Sequence, residues 1–354
     1  MSGLLGRRKA ALLGALGALL LSAGPAFACG GLIGPNGAVN LLQTTTLAGY
    51  HDGVEHYITA FQFAGGGGEF GSLVPLPGVP TSVERGGDWT LQRLIQETEP
   101  PQRFAFPAAG EALDSSNAEE LMKVRIDALD ITVLRGGSNA VGQWATDHGF
   151  RLPPDSPEVL DFYATRSPIF LAAVFDADAA RDRGQAIGDG TPVHVTIPTD
   201  NPWVPLRILA LGKTAAERVQ ADVYLMTDDV PAMLPQATGA NGLTLTHSAA
   251  ATDSLLDDLR SDKGMGWVPS HAWLSKVAID AEAADLKLDL ALDVSGAGAP
   301  SPVRAGLLSG EFTATIASRT SEWLIVAAVA AFTLPSWFAL LFVIRRRPQT
   351  ANLA

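Results

Sequence analysis

Hydrophobic and polar residues alternate along several short segments of this chain, and an alternation of period two predicts β-strands. Residues 38–63 show it on both sides of Asp52-Gly53, a two-residue turn signal, so a β-hairpin is expected there. Residues 286–294 alternate too, with leucines on one face and charged residues such as Asp289 mostly on the other. Further strands are predicted at 124–134, 169–175, 191–197, 204–211, 220–226 and 273–279, with an extended or edge segment at 72–80.

Helical spacing and end signals predict short helices between these strands. Asp88 is a predicted N-cap for a helix to about residue 97, and Gly149 suits the left-handed end of a helix over 138–148. Two more helices are predicted at 155–164 and 252–261. The mixture predicts an α+β domain over residues 29–294, with mixed or antiparallel sheets and short helices.

The first 28 residues have the pattern of a secretory signal. Arg7, Arg8 and Lys9 precede an uncharged apolar run over 10–21. The small-x-small sequence that ends at Ala28 predicts cleavage between Ala28 and Cys29. The alternative, a membrane-spanning helix, is disfavoured because the run is short for a bilayer core.

The C-terminal region has the pattern of a membrane-spanning helix. Residues 323–344 contain no charged side chain, and about 20 such residues span a bilayer core as a helix. Arg345, Arg346 and Arg347 follow at once and predict a cytoplasmic tail over 345–354. Residues 295–322, with many Gly, Ala, Ser and Pro, predict a flexible stalk. We therefore expect a single-pass protein of the cell membrane with its N-terminal domain outside; a buried core helix is the alternative.

Charge and cysteine content narrow the function classes. Residues 29–322 carry 19 basic and 37 acidic side chains, a formal net charge of −18. Such a surface disfavours nucleic acid, whose phosphates need Lys and Arg. Cys29 is the only cysteine, so no internal disulfide is expected. Cys29 would begin the mature chain, where bacterial lipoproteins carry their lipid. Phe27 fits a lipobox poorly, and an unmodified cysteine is favoured.

One segment could carry metal chemistry. Residues 51–56 (His-Asp-Gly-Val-Glu-His) hold two histidines and two carboxylates. An inverted zinc-protease motif needs His-x-x-Glu-His on a helix, whereas this spacing is one residue longer and Asp-Gly makes a turn. Solvated hairpin residues are the favoured interpretation of His51 and His56, so no metal and no cofactor is predicted. No catalytic residue is assigned, because no Gly-x-Ser-x-Gly or calcium-loop pattern occurs.

Four motifs, taken in order, resemble those of a bacterial exported family. They are Ala-Cys-Gly-Gly at 28–31, Phe-Gly-Ser-Leu-Val-Pro-Leu-Pro-Gly-Val-Pro at 70–80, Gln-Trp to Gly-Phe across 143–150, and Pro-Leu-Arg-Ile at 205–208. Together with the C-terminal anchor, this order resembles the family catalogued as domain of unknown function 2330, over most of 28–294. The resemblance implies export and often a membrane anchor; it supplies no catalytic residues.

Three functional hypotheses follow. The leading one is a non-enzymatic extracytoplasmic domain that binds a protein or envelope partner. Its rival is a hydrolase or metal-dependent enzyme whose site is assembled from residues distant in sequence. A purely structural envelope component is the third reading.

Overall fold

The fold is described by a computed structural model over residues 31–34, 37–38, 44–62, 69–99, 120–184 and 190–307. The predicted signal, the cleavage residues Ala28 and Cys29, the helix at 323–344 and Arg345 to Arg347 lie outside these ranges. Within them, no helix is long and apolar enough to cross a membrane. Contacts group the chain up to Gly306 into one compact unit.

Sixteen strands and six α-helices make up the described part of this unit. The helices are α1 (Thr90–Thr98), α2 (Ser138–Asp147), α3 (Ser156–Ala164), α4 (Ala177–Asp182), α5 (Asp253–Ser261) and α6 (Pro302–Ala305). The strands are β1 (Gly31–Gly34), β2 (Gly37–Ala38), β3 (Thr44–His51), β4 (Val54–Gln62), β5 (Glu69–Leu76), β6 (Ser82–Arg85), β7 (Glu120–Ile126), β8 (Leu129–Arg135), β9 (Ile169–Asp176), β10 (Gly190–Pro198), β11 (Trp203–Val204), β12 (Arg218–Thr227), β13 (Ala232–Leu234), β14 (Leu243–Ala250), β15 (Trp273–Glu282) and β16 (Leu290–Asp293).

The strands form three sheets. A six-stranded antiparallel sheet has the order β2-β1-β5-β9-β8-β7. A seven-stranded sheet has the order β14-β15-β12-β3-β4-β10-β6, in which only β3 and β12 are parallel. A small antiparallel sheet has the order β11-β16-β13. The predicted α+β class with mixed and antiparallel sheets is confirmed for the described residues.

The two faces of the seven-stranded sheet are buried in different ways. On one face Leu47 and Ile58 pack with Leu94 of α1 and Leu259 of α5. Residues of the other face, such as Tyr57, join a core that also contains residues of the six-stranded sheet. Alternation along each strand therefore decides whether a side chain meets the helices or the larger core.

Several predicted elements differ from those observed. The strand predicted at 124–134 is a hairpin of β7 and β8, because Asp127 turns the chain with a φ of 55°. The segment predicted at 204–211 is a strand only at its start, and Arg207–Ala210 is a 3₁₀ turn. The segment 72–80, predicted as an extended or edge segment, is extended up to Leu76 as part of β5, but β5 lies between β1 and β9 and not at the edge of its sheet. The described part of β1 begins opposite Leu73, so among the described residues Pro75 pairs with β9 alone.

The start of α1 is capped by a residue far along the chain. Asp88 does not cap it as predicted; instead Asp262, next after α5, accepts from the backbone N–H groups of Asp88 and Trp89 at 3.0 Å each. The hydroxyl of Thr90 donates to the same carboxylate at 2.8 Å. Asp262 thereby supplies the negative charge and acceptors that a helix start lacks.

Asp262→Ala should lower the free energy of unfolding by about 2 kcal/mol, because four donors, including the N–H of Lys263, lose their acceptor. Asp262→Asn keeps one acceptor oxygen and should lose about half as much. Urea unfolding of both variants measures this. Equal losses in the two would show that the acceptor role is unimportant.

Candidate functional site

The motif at residues 51–56 is divided between the two faces of β4. His56 lies two positions from Ile58 and so shares its helix-covered face, whereas Glu55 points to the other side. Glu55 is fully buried, and its carboxyl accepts from the backbone N–H of Trp203 at 3.3 Å. Burial raises the pKa of Glu55 to about 8. The carboxyl of Glu55 and the two histidines therefore cannot bind the same ion. This agrees with the turn predicted at Asp52-Gly53, which already argued against a metal site.

His56 pairs with a histidine of the neighbouring strand rather than with His51. Its Nδ1 lies 2.9 Å from Nε2 of His194 on β10. In the register of β4 and β10, His194 is opposite Ile58, so the two histidines are diagonal neighbours on one face. His51 instead places its Nδ1 2.6 Å from a carboxylate oxygen of Asp228. We call His56, His194 and Trp267 the paired-histidine site.

Trp267 covers one face of the His56 ring. Its indole stacks on the His56 ring with centroids 3.9 Å apart and planes 2° apart. Gly49, opposite His56 on β3, makes the stacking possible, because a Cβ there would overlap the indole ring. A glycine at this position thus reflects a close approach of a side chain to the backbone, not a turn.

Gly49→Ala should destabilise the fold by about 2 kcal/mol, because the indole must leave its place over His56. Gly266→Ala is a matched control: no atom lies within 4 Å of its added Cβ, so almost no change is expected. Thermal unfolding and the tryptophan emission spectrum report on both. An unshifted emission maximum in Gly49→Ala would contradict the stacked arrangement.

Both histidines of the site are held neutral at pH 7. Burial lowers the pKa of His194 to about 4. Burial, followed by the neighbouring His194 and His51, lowers the pKa of His56 to about 3. One neutral ring can donate its N–H to the unprotonated nitrogen of the other, which suits the 2.9 Å separation.

Acid should weaken the fold through His194. Below about pH 6.5 the unfolded chain protonates this ring while the folded chain does not, so stability is complete above pH 6.5 and falls as the pH approaches 4. His194→Gln removes the effect, and wild type should lose about 2 kcal/mol relative to the variant between pH 6.5 and 4.5. Urea unfolding at the two pH values tests this; a difference independent of pH would contradict it.

Comparison with known proteins decides the family. The family described as "uncharacterized protein conserved in bacteria (DUF2330)" matches residues 23–230, more than half of the 354 residues. The chain belongs to the DUF2330 family. The match confirms the resemblance drawn from sequence motifs. It includes His56 and His194 of the site and ends before Trp267.

Other comparisons add little about this DUF2330 protein. No curated protein matches the sequence. The crystal structure of baculovirus P35 aligns with a TM-score of 0.37 and 10% identity, over 71% of this chain and 96% of that one. The caspase-8/P35 complex aligns with a TM-score of 0.35 and 10% identity, over 71% and 95%. At these scores no property of P35 is carried over.

Buried charges elsewhere in the protein hold elements together. Fully buried Asp289 accepts from the hydroxyl of Tyr163 and the backbone N–H of Leu206, both at 2.8 Å, and from Arg166 at 2.6 Å. Buried Lys276 lies 2.5 Å from Glu99, next after α1. A cation beside the end of a helix is favoured by the helix dipole. These groups are used by the fold itself.

A groove of about 250 Å³ also carries charged residues. Arg207 on its wall pairs with Glu158, and Lys213 pairs with Glu217 at 2.6 Å. The groove does not include the paired-histidine site. Its Arg207 and Lys213 bind carboxylates of the protein, so the groove does not present these two cations unpaired to a ligand.

Two members of the site were missed in the sequence. His194 lies 138 residues from His56, and nothing local indicates that their strands are neighbours. Trp267 lies in a loop after α5, where an isolated tryptophan carries no positional signal. The only available signal was the alternation of β10, which places His194 on the opposite face from Val193 and Val195.

Proposed function

We propose that this chain is an exported, single-pass membrane protein whose extracytoplasmic domain binds a protein or envelope partner and catalyses no reaction. The signal pattern, the apolar run at 323–344 and the arginines after it support the export and orientation. The absence of catalysis is supported by one observation: the buried side chains of Asp262, Asp289 and Lys276 bind groups of the fold itself.

The charge of the domain indicates the chemistry of its partner. A net charge of −18 over residues 29–322 fits a partner with a basic surface and repels nucleic acid. Charge attraction of this kind is screened by salt, so binding should weaken as ionic strength rises. An anionic lipid surface is a poor partner because the acidic domain and the lipid headgroups repel each other.

Cysteine labelling tests the orientation. Cys29 is the only cysteine, so a membrane-impermeant maleimide should label it in spheroplasts. In a Cys29→Ser background, Thr350→Cys should react only after lysis. Labelling of Thr350→Cys before lysis would overturn the proposed direction. An unlabelled Cys29 with a diacylglycerol mass in the mature N-terminal peptide would show lipidation.

Photo-crosslinking in living cells tests partner binding. Val79, Val230 and Val303 are large apolar residues exposed on the described surface, and each can carry a photo-reactive side chain. A position within the binding surface should give a discrete product, and this product should weaken in high salt. Absence of any discrete product at all three would contradict the binding role.

A further inference from the structure

The strand β14, at one end of the seven-stranded sheet, is paired along only part of its outer edge. Residues 237–239 pair with its first part, where the N–H of Leu245 donates to the carbonyl of Ala237 at 3.0 Å. A bulge follows Leu245, and beyond it no described strand pairs with this edge. We call residues 246–250 the open edge.

Ser248 and Ala250 direct their backbone N–H and C=O groups away from the sheet. Ala251 donates its N–H to the carbonyl of Ala272 at 2.9 Å, on the side of β15. Successive residues of a strand direct these groups to opposite edges, so Ala250 and Ser248 face outward whereas Ala249 faces β15. Both outward residues therefore offer an N–H and a C=O to another strand.

The open edge lacks the features that keep sheet edges from pairing with other chains. Its sequence, Thr-His-Ser-Ala-Ala, contains no Lys, Arg, Asp, Glu or Pro, and its side chains are exposed or half-buried. Short strands, charged side chains and prolines normally block such pairing. At the opposite end of the same sheet, β6 is four residues long and ends in Glu84 and Arg85. Of the two ends of this sheet, β14 is the one suited to accept a strand.

We propose that the partner inserts a short, extended segment with basic residues along the open edge as an additional strand. This inference rests on the proposed function and names the surface that carries it. Hydrogen bonds to the main chain of Ser248 and Ala250 hold the segment. Leu245, which is 38% exposed, and Trp273, whose indole N–H donates to the hydroxyl of Ser248 at 2.9 Å, lie on one face beside this edge. They give the segment an apolar contact.

Charge favours a basic segment over a second copy of this chain. The exposed carboxylate of Asp253 follows the open edge at the start of α5 and makes no ion pair with a described residue. Residues 29–322 carry a net charge of −18. Two copies therefore repel each other, whereas Lys or Arg beside a neutral strand core is attracted.

Two peptides test the chemistry of the segment. Acetyl-Lys-Thr-Val-Thr-Val-Thr-Lys-amide is titrated into the full-length chain in detergent, beside the same peptide with Glu at both ends. The lysine peptide should bind about 10-fold more tightly, and added salt should reduce this difference. Equal binding of the two peptides, or binding of neither, would overturn the inference.

Two substitutions at one position test the main-chain contact. Ala250→Pro removes an outward N–H and should weaken binding of the lysine peptide about 10-fold. Proline is tolerated where the N–H of an edge strand faces solvent, so the fold should be retained. Ala250→Val keeps the N–H and should bind as wild type does. Equal affinity of the proline and valine variants would contradict strand addition.

Hydrogen exchange on the unsubstituted chain keeps the test decisive if Ala250→Pro does not fold. The lysine peptide should slow exchange of the N–H groups of Ser248 and Ala250. The N–H of Ala249, which faces β15, should exchange at the same rate with and without the peptide. Unchanged exchange at Ser248 and Ala250 with the peptide bound would place the peptide elsewhere and contradict the inference.

Crosslinking in living cells separates this inference from the proposed function. A discrete product formed from Val79, Val230 or Val303 should weaken in Ala250→Pro and persist in Ala250→Val. A product of equal strength in both variants would leave partner binding standing and overturn the open edge as its surface. A product that contains two copies of this chain would also contradict the inference. Absence of every product would contradict the proposed function itself.

Discussion

Arg166→Met should lower the free energy of unfolding by about 3–5 kcal/mol. The side chains of Arg166 and Asp289 are 4% and 0% exposed, and their ion pair is 2.6 Å long. Removing Arg166 leaves the buried carboxylate of Asp289 without its counter-charge, which is far more costly than losing a surface pair. Arg166 also donates to the backbone carbonyl of Arg304, so one of the hydrogen bonds that attach α6 is lost as well.

The design of the experiment separates charge from packing. Arg181→Met removes an exposed pair with Asp178 and should change stability by less than about 0.5 kcal/mol. Combining Arg166→Met with Asp289→Asn removes both charges and should recover part of the loss. Urea unfolding of all three chains decides the outcome. A loss below 1 kcal/mol in Arg166→Met would show that the pair is not a main support of the fold.

Glu55→Gln should stabilise the fold at high pH and have little effect in acid. The folded pKa is raised to about 8 from an ordinary value of about 4.5, so the folded state holds one more proton between these values. The stability contributed by this proton is complete below pH 4.5 and is lost as the pH rises through 8. Relative to pH 4.5, the variant should gain about 4 kcal/mol over wild type at pH 8.

Measurement at pH 4.5, 6 and 8 gives the slope of the stability difference, which is independent of any constant effect of the amide. Glu84→Gln serves as the control, since Glu84 is exposed on β6. A stability difference that does not change with pH would mean that Glu55 is ionised in the folded chain.

Local patterns predicted much of the secondary structure. The turn at Asp52-Gly53 and the alternation beside it gave the hairpin of β3 and β4, with both turn residues at positive φ. The helix over 252–261 is observed as α5, and the hydroxyl of Thr252 accepts from the N–H of Leu255 as a cap should. These signals act over a few residues, where the sequence alone contains the cause.

Long-range contacts overruled the pattern elsewhere. Alternation over 286–294 predicted Asp289 on the polar face, yet Asp289 is fully buried and only Leu290–Asp293 is a strand. Its carboxylate accepts from the N–H groups of Leu206 and Arg207, which helps to explain why the strand predicted at 204–211 turns into a 3₁₀ segment. A buried ion pair cannot be read from either segment alone.

The candidate site lies at the limit of such prediction. His56 was singled out from its neighbours in sequence, but the neighbour that matters in space is His194 on another strand. Only the register of β4 with β10 shows this, and that register depends on the whole sheet. The sequence suggested a pair of histidines within the β3–β4 hairpin, His51 and His56. In the structure His56 pairs instead with His194 on β10.

The parallel pairing of β3 with β12 sets the order in which the molecule can be completed. On the edge of β3 away from β4, Thr44 to Tyr50 pair with residues 221–227, and α1 is capped only once Asp262 is present. When about 200 residues of the growing chain have emerged from the ribosome, β3 therefore has one unpaired edge and α1 has no cap. Folding of this domain is therefore completed late in synthesis. Chains truncated from the C-terminus so that Asp262 is removed should be recognised by chaperones or proteases.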